Sequence, residues 1–375
     1  MNRLHDNLTR AGKHPICATF ADGARLLVLP EHGRLLGLYP DDADENFLWT
    51  NPALGDEASA RAYFARPGWS NPGGDRTWLA PEIELFIGDV DRVFETYAVQ
   101  SALDPGHWKV VAATAAAVSL VNETRVHLHR QNRDVGVRLT KTYSVAPNPL
   151  RDVAGLQVAG YTLATTLEVE SQPGVPTRLG IWNLLQLPQP GTMWIPTRAP
   201  ARPHVVFGAP AAGELTVTPG LVRWNMAPPG GDAKISLKPQ PLTGRVGYLR
   251  ASHDPRHTTR DPRHTTRGPR HTTHDTRHTT HETCDLVVRE FSVGAERDYV
   301  DALWSPPHEA GWAFQSCCVR NGAECFNELE YHAPSVTARS GEAVIRDESR
   351  VWAFRGPRDA VARAARQLLG DDGIA

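Results

Sequence analysis

The chain has 375 residues, 41% of them hydrophobic, and a formal net charge of −2 at pH 7. This length allows one large domain or two small ones, and the apolar fraction is sufficient for a core. The near-zero charge gives no reason to expect affinity for nucleic acids or membrane surfaces. The sequence contains no stretch of about 18 apolar residues that could span a membrane. The expected partner is therefore neither a nucleic acid nor a membrane.

The cysteines and the start of the chain indicate a cytoplasmic protein. The five cysteines are an odd number without metal-ligand spacing, which favours free thiols in a reducing compartment. Residues 1–7 lack the apolar region of a signal peptide. The sequence also lacks a glycine-rich phosphate loop, a His-Glu-x-x-His or Cys-x-x-Cys motif and a Gly-x-Ser-x-Gly elbow. We therefore predict no cofactor and no metal site.

Read in chain order, most of the sequence predicts short β-strands broken by Gly, Pro, Asn and Asp. Residues 25–30 and 33–39 flank a Glu-His-Gly turn and predict a hairpin. Helices are predicted only over 56–65 and over 358–369, where one face is apolar. Regularly spaced strands argue for a β-sandwich or barrel. Alternating polar and apolar residues predict half-buried strands over 82–87, 125–130, 135–145 and 161–170.

One segment departs from the strand pattern. From Asp254 the chain repeats seven residues in tandem, as DPRHTTR, DPRHTTR, GPRHTTH and DTRHTTH. The repeat has no apolar position, which excludes a coiled coil and predicts a disordered insertion over 252–283. Its histidines could bind a metal, although an expanded repeat tolerated in a surface loop is the plainer interpretation. The flanks 245–250 and 286–291 look like two arms of one hairpin, at whose tip a long insertion costs little stability.

Residues 71–82 combine a Gly-Gly turn with Asp75, Arg76, Trp78 and Glu82. Glycine permits close approach of the backbone to a ligand, the arginine fork suits oxygen-rich ligands, and indole offers an apolar face with one donor. This cluster is typical of the wall of a polar ligand site. A tight turn with a structural arginine is the alternative interpretation.

Residues 325–334 carry a second cluster. On a strand, Glu328 and Glu330 share one face with Phe326 and His332. The two carboxylates repel each other unless a cation, an arginine or a polyol lies between them, or unless one of them is protonated. The pair indicates a site, and a solvent-facing strand edge is the alternative.

A third cluster lies in residues 180–188. Alternation places Trp182 and Gln186 on one face of a strand and Asn183 on the other. A tryptophan beside an amide makes a stacking platform for a ligand. A core tryptophan with a satisfied glutamine is the alternative.

Together these segments resemble the galactose mutarotase-like superfamily, and most closely its uncharacterised DUF4380/DUF6786-type branch. Residues 73–82 resemble the branch's GG-x-R-x-W-x-APE signature. The chain from Thr162 through residues 180–188 is similar to its central strand pair. Residues 327–334, followed by Ser-Gly-Glu at 340–342, look like the late strand that bears the catalytic glutamate of mutarotases. The resemblance covers roughly residues 15 to 355.

The resemblance implies an all-β antiparallel supersandwich with a sugar cleft on one sheet. On this basis we expect a single domain over 1–355, interrupted by the insertion, and a C-terminal helix and tail over 356–375. The resemblance also implies that Glu328, in preference to Glu330, is the catalytic base and that Arg76 holds the ring oxygens of a sugar. The other residues expected to contact the ligand are Asp75, Trp78, Glu82, Trp182, Gln186 and His332.

The resemblance breaks at the catalytic histidine. Aldose epimerases open the pyranose ring with a glutamate base and a histidine acid, which lies in a His-x-Tyr-Phe-Asn type segment. This chain has Trp182-Asn-Leu-Leu at that place, and indole cannot donate and regain a proton as imidazole does. We therefore expect slow or absent mutarotation of glucose and galactose. Two functions stay open: a sugar-binding protein or non-classical epimerase-like enzyme, and a carbohydrate sensor or module without catalysis.

Overall fold

The computed structural model describes residues 3–20, 23–40, 45–150, 154–171, 175–226, 231–251, 283–322, 324–338 and 341–370. Over these residues strands dominate, and the α-helices are α1 (Arg3–Arg10), α2 (Glu57–Phe64), α3 (Glu82–Leu85), α4 (Val93–Thr96) and α5 (Arg358–Leu369). The predicted helices over 56–65 and 358–369 are confirmed as α2 and α5. No helix in the described ranges is long and apolar enough to cross a membrane.

The strands, numbered in chain order, form two ten-stranded sheets whose ladders are all antiparallel over the described residues. The first sheet runs in the order β1 (Ile16–Thr19), β2 (Arg25–Leu29), β3 (Arg34–Tyr39), β4 (Asp75–Ala80), β9 (Thr177–Pro188), β18 (Glu324–His332), β17 (Phe314–Asn321), β14 (Ala233–Leu237) and β11 (His204–Phe207), with β19 (Val336–Ala338) also paired to β9. The second runs β12 (Leu215–Thr218), β13 (Leu221–Met226), β10 (Gly191–Pro196), β15 (Arg245–Ala251), β16 (Thr283–Phe291), β20 (Gly341–Pro357), β8 (Gln157–Ser171), β7 (Arg133–Val145), β6 (Ala117–Leu128) and β5 (Lys109–Ala113).

The hydrophobic core lies between the two sheets. Its largest cluster combines Leu185 and Leu329 of the first sheet with Tyr161, Val287 and Val351 of the second. Because side chains alternate along a strand, every second residue of these strands points into the interior. The predicted all-β antiparallel supersandwich with a short C-terminal helix is confirmed, as is the hairpin of β2 and β3.

The prediction of a strand over residues 82–87 is wrong, because this segment contains the helix α3. The β4 ladder ends where Ala80 pairs with Gly180, and the backbone N–H of Glu82 then donates to Asp301 Oδ1 at 3.1 Å. Both acids of the segment, Glu82 and Glu84, are buried together with its apolar residues. The polar–apolar alternation therefore came from buried acids and not from a strand with one solvent-facing side.

The arms of the predicted insertion hairpin are β15 and β16. They pair from Arg245 and Glu290 to Ala251 and Cys284, and β10 and β20 flank them on either side. Thr283, which the prediction assigned to the insertion, is the first residue of β16. The repeat itself lies outside the described residues, so its disorder and the proposed domain limits stay predictions.

A buried ion pair ties the first sheet to the second. The Asp75 carboxylate on β4 accepts from both terminal nitrogens of Arg289 at 3.2 Å and from the Tyr161 hydroxyl at 2.6 Å. All of this lies between the sheets, and Asp75 and Arg289 are fully buried. The expectation that Asp75 contacts a ligand is thereby corrected. Because successive side chains of a strand point to opposite faces of the sheet, the next residue, Arg76, points to the outer face.

We expect Asp75→Asn to lower the free energy of unfolding by about 3–5 kcal/mol, because it leaves the buried Arg289 guanidinium without a counter-charge. Denaturant titration measures this loss. The control is Glu123→Gln, which removes an exposed pair with Arg138 at 2.7 Å and should change stability little. Equal effects of the two substitutions would contradict the structural role of Asp75.

We expect that deleting residues 254–282 leaves Tm within about 3 °C of the full chain, because the β15–β16 ladder is complete without them and loop-closure entropy varies slowly with length. Thermal unfolding followed by circular dichroism tests this. Loss of cooperative unfolding in the deletion variant would show that the insertion contributes to the fold.

Candidate functional site

A cleft of about 640 Å³ opens on the outer face of the first sheet. The side chains of Trp182 and Gln186 point to this face, and Asn183 points to the interior, where its amide donates to Tyr331 Oη at 2.7 Å. The cleft joins many ring faces to a small number of charged groups. The aromatic residues that line it are Trp69, Trp78, Phe94, Tyr97, Trp182, Phe207, Trp304 and Phe326.

Strand register sets the order of the polar side chains across the cleft floor. Gln186 of β9 pairs with Glu328 of β18, Glu328 pairs with Cys317 of β17, and Cys317 pairs with Lys234 of β14. Neighbouring strands lie about 4.8 Å apart, so the backbones of Glu328 and Lys234 are separated by about 10 Å. A carboxylate and an ammonium group therefore face each other across the Cys317 thiol.

Glu328 is held at one side of this gap through a single oxygen. Its Oε1 accepts from Arg76 Nη2 at 3.0 Å and from Gln186 Nε2 at 2.9 Å. The Arg76 guanidinium lies 3.9 Å from the centroid of the Trp78 ring, a cation–π contact that holds it over the ring. Within the described residues Oε2 receives no hydrogen bond, so this oxygen is open to a ligand.

Lys234, which no sequence motif singles out, stands at the other side of the gap. Its Nζ lies 3.3 Å from Glu330 Oε2 and 3.5 Å from Glu82 Oε2, and 4.6 Å from the Trp182 ring centroid. The only available signal was the alternation of Lys234 and Ser236 with apolar residues in a five-residue strand. That pattern places Lys234 on the outer face but does not say which strands lie beside it.

Glu82 lines the cleft next to Lys234 and is held by two loop side chains. Its Oε2 accepts from Trp304 Nε1 at 2.6 Å, and its Oε1 accepts from Tyr97 Oη at 2.9 Å. Burial and the Glu82 carboxylate raise the pKa of Tyr97 well above its ordinary value, so the phenol remains a donor. Together with Lys234, these two side chains fix the Glu82 carboxylate in position and stabilise its charge.

Glu330 lies two residues after Glu328 on β18 and is fully buried. Its Oε2 accepts from Trp182 Nε1 at 3.0 Å, and its Oε1 has no partner among the described residues. Burial raises the pKa of Glu330 to about 8, and the carboxylates of Glu328 and Glu82 add to this against the opposing effect of Lys234. Glu330 therefore carries a proton at neutral pH. Both a cation and a protonated acid relieve the repulsion between the two glutamates.

His332 packs against Trp182 outside the cleft. The two ring centroids are 5.4 Å apart, and His332 Nε2 lies 3.2 Å from Gln315 Oε1 and 3.5 Å from Asp301 Oδ2. Burial lowers the pKa of His332 well below its ordinary value, while burial and Glu82 raise the pKa of Asp301 to about 7. His332 is thus neutral and buried, and it is not one of the residues that line the cleft.

The residues chosen from the sequence fall into three groups. The cleft is lined by Arg76, Trp78, Glu82, Trp182 and Glu328. Three others are buried beside this lining and contact it, namely Gln186, Glu330 and His332. Asp75 alone lies on the opposite side of the sheet.

One group of described residues could offer ligand atoms to a metal. Cys317, Glu328 and Glu330 bring one such atom each within 4.8 Å of the others. Arg76 and Lys234 already contact the two carboxylates, so a metal ion would have to compete with both. The absence of a metal site stays a prediction.

The fold and the cleft together define a two-sheet β-supersandwich protein with an aromatic-walled polar site on one outer face. No family model matches the chain, and a search of curated proteins finds no relative. Solved structures are similar over most of its length. The galactose mutarotase-like protein from Lactobacillus casei ATCC 334 is 10% identical, covers 91% of this chain and 100% of its own, and has a TM-score of 0.47.

Two further solved structures are similar to this chain. For the Slr1438 protein from Synechocystis sp. PCC 6803 the identity is 11%, the coverage 92% of this chain and 96% of the other, and the TM-score 0.49. The galactose 1-epimerase from Lactobacillus acidophilus NCFM is 8% identical, covers 91% of this chain and 94% of its own, and has a TM-score of 0.43. These values are too low to assign a family or an activity to this chain.

Because Glu330 is protonated in the folded state, the free energy of unfolding should depend on pH. The folded-state pKa of about 8 exceeds the ordinary value of 4.5, so the folded state binds more protons than the unfolded state between these values. The resulting stabilisation is fully present below pH 4.5 and is lost as the pH rises to about 8. Because Glu330→Gln is neutral at every pH, we expect the variant to gain stability relative to the natural protein across this interval.

Denaturant titrations from pH 5 to 9 measure the difference in unfolding free energy between the two proteins. The control is Glu123→Gln, which changes an exposed side chain, and its unfolding free energy should show the same pH dependence as that of the natural protein. A constant difference for Glu330→Gln over the whole range would mean that Glu330 is ionised in the folded state.

Proposed function

We propose that this protein binds a sugar or a sugar-like polyol in the cleft and performs an acid–base step on it, as a non-classical relative of the aldose 1-epimerases. The observation that carries the proposal is the Glu328 carboxylate, which Arg76 and Gln186 hold through Oε1 while Oε2 stays open to the cleft. Residues 71–82 lie beside the strand that bears Trp182, and that strand pairs with the one that bears Glu328 and Glu330. This arrangement supports the resemblance on which this proposal rests.

The lining of the cleft supports a polyol as the ligand. A pyranose has apolar C–H faces and polar edges, which suits a site that combines aromatic ring faces with a few convergent polar groups. Trp182 and Trp78 are buried beneath Lys234 and Arg76, which lie over their rings at 4.6 and 3.9 Å from the centroids. Trp69 also lines the cleft and is 41% exposed. Its N–H is already bonded to Asp104, so this ring would contribute stacking while Glu328 and Arg76 hold hydroxyl or ring oxygens.

The proposed step is ring opening at the anomeric carbon. Glu328 takes the proton of the anomeric hydroxyl, the bond between C1 and the ring oxygen breaks, and the ring oxygen gains a proton. We assign the source of that proton to the protonated carboxyl of Glu330, because against the effect of burial Glu330 and Glu82 raise the pKa of Lys234 above its ordinary value and make it a weak acid. Lys234, 3.3 Å from Glu330 and on the far side of the Cys317 thiol from Glu328, passes the proton to the ring oxygen and takes the Glu330 proton in its place. Ring closure on the other face of the aldehyde reverses each transfer. Fixed donors aimed at a developing charge typically supply a large part of the catalysis.

A binding protein without catalysis is the second candidate. It is favoured by the position of His332, which is buried against Trp182, and by the lack of any histidine among the described residues that line the cleft. Under this alternative the same contacts hold the sugar, and the paired charges serve only to orient it.

We expect Glu328→Gln to reduce turnover by about 10²- to 10⁴-fold, the usual contribution of a general base, while sugar binding is retained because the amide keeps an acceptor oxygen. Polarimetry on a panel of freshly dissolved α-aldoses measures turnover, and thermal shift measures binding. For glucose and galactose we expect rates well below those of a histidine-bearing mutarotase.

The matched control is Glu324→Gln, which alters another carboxylate of β18 that lines the cleft but bonds to Asn51 at 3.1 Å. This variant should keep its turnover. Binding without turnover of any aldose would favour the second candidate, and a panel that raises no melting temperature would refute the sugar assignment.

A further inference from the structure

Both cations that line the cleft in the described part of the chain are already matched by carboxylates. Arg76 contacts Glu328 at 3.0 Å, and Lys234 contacts Glu82 at 3.5 Å. A phosphate or a sugar carboxylate would therefore find no cation to itself and would meet nearby acids. Like charges in a poorly solvated site repel strongly. The charge pattern thus favours an uncharged ligand.

One end of the cleft has a different character from the charged floor. Phe207 stacks on Trp304 with ring centroids 4.9 Å apart and an interplanar angle of 9°. Phe94 meets both rings edge-on, at 5.6 Å from Trp304 and 6.1 Å from Phe207. All three line the cleft, and Phe94 is 78% exposed. A contiguous aromatic patch that reaches the surface at a cleft is typical of a ligand-binding groove.

The three rings, which we call the aromatic end, offer no hydrogen bond to a ligand. Phenylalanine has no polar atom, and the N–H of Trp304 is committed to Glu82 Oε2 at 2.6 Å. A second sugar ring placed there would lose hydrogen bonds to water without replacement. An apolar group would instead gain from burial of its own surface and that of Phe94. The cleft volume of about 640 Å³ lies in the range that holds ligands larger than a single sugar ring.

We propose that the ligand is an uncharged sugar that carries an apolar, preferably aromatic, substituent, with the sugar over the Glu328–Lys234 floor and the substituent against Phe94, Phe207 and Trp304. This inference rests on the proposed sugar-binding function and narrows it to one substrate class. The reason is geometric: Glu82 belongs to the floor through Lys234 and to the aromatic end through Trp304, so the two regions meet at this residue.

Matched pairs of ligands test the inference by calorimetric titration. One arm compares 4-O-methyl with 4-O-benzyl forms of glucose, galactose and mannose, and a second compares 6-O-methyl with 6-O-benzyl forms of the same sugars, so that two attachment points are covered while the anomeric hydroxyl stays free for the proposed step. We expect the aromatic member of at least one pair to bind about tenfold tighter, the usual gain for a well-packed ring. Glucose 6-phosphate, galactose 6-phosphate and mannose 6-phosphate should bind more weakly than the free sugars.

The variant Phe94→Ala should remove most of this preference, which is measured as the ratio of the two affinities within a pair. Its side chain is mainly exposed, so folding should persist, and a thermal melt verifies this. Val111→Ala is the control, since Val111 is 60% exposed on β5 of the other sheet, and it should keep the full preference.

The outcomes separate this inference from the proposed function. Equal binding of both members in every pair, or a preference that survives Phe94→Ala, overturns the aromatic end as a subsite while sugar binding stands. Tighter binding of a sugar phosphate overturns the uncharged ligand. If no member of any pair binds, the proposed function itself fails and the inference fails with it.

Discussion

The buried ion pair between Asp75 and Arg289 determines which way the site-bearing strand faces. It joins β4 of the first sheet to β16 of the second, and Tyr161 of β8 adds a hydrogen bond to the same carboxylate. A shift of one residue in β4 would move Asp75 out of the interior and turn Arg76 into it. Since an unpaired charge in the interior is strongly unfavourable, this ion pair opposes the shift and keeps Arg76 on the outer face beside Glu328.

Charge matching is the second constraint, and it explains the chemistry of the cleft. Glu82, Glu328 and Glu330 lie in a poorly solvated region with two cations, Arg76 and Lys234. All five groups cannot be ionised without an excess of negative charge, and the most deeply buried acid, Glu330, takes up a proton. A neutral set of fixed donors and acceptors results. Such a set needs little reorganisation when a polyol binds.

Local pattern was a good guide wherever one strand or helix decides the outcome. The alternation in residues 325–334 placed Glu328 and Glu330 on one face, and the contacts of Arg76 and Lys234 lie on that face. For residues 82–87 the same alternation predicts a strand where the structure has the helix α3, because both acids of this segment are buried and neither faces solvent. Glu82 contacts Trp304 and Lys234. Both lie far from it in the sequence, and no local pattern reports such contacts.

The sequence by itself determined the all-β class, the hairpins, the C-terminal helix and the side of each strand on which a residue falls, because these follow from the two-residue period of a strand and from local turn signals. Only the tertiary structure decided that Lys234 stands opposite Glu328, that His332 is enclosed behind Trp182 and that Phe94, Phe207 and Trp304 meet at one end of the cleft. These relations depend on which strands pair and where the loops pack. Both are set by long-range burial of apolar surface, which acts between residues that are distant in the chain.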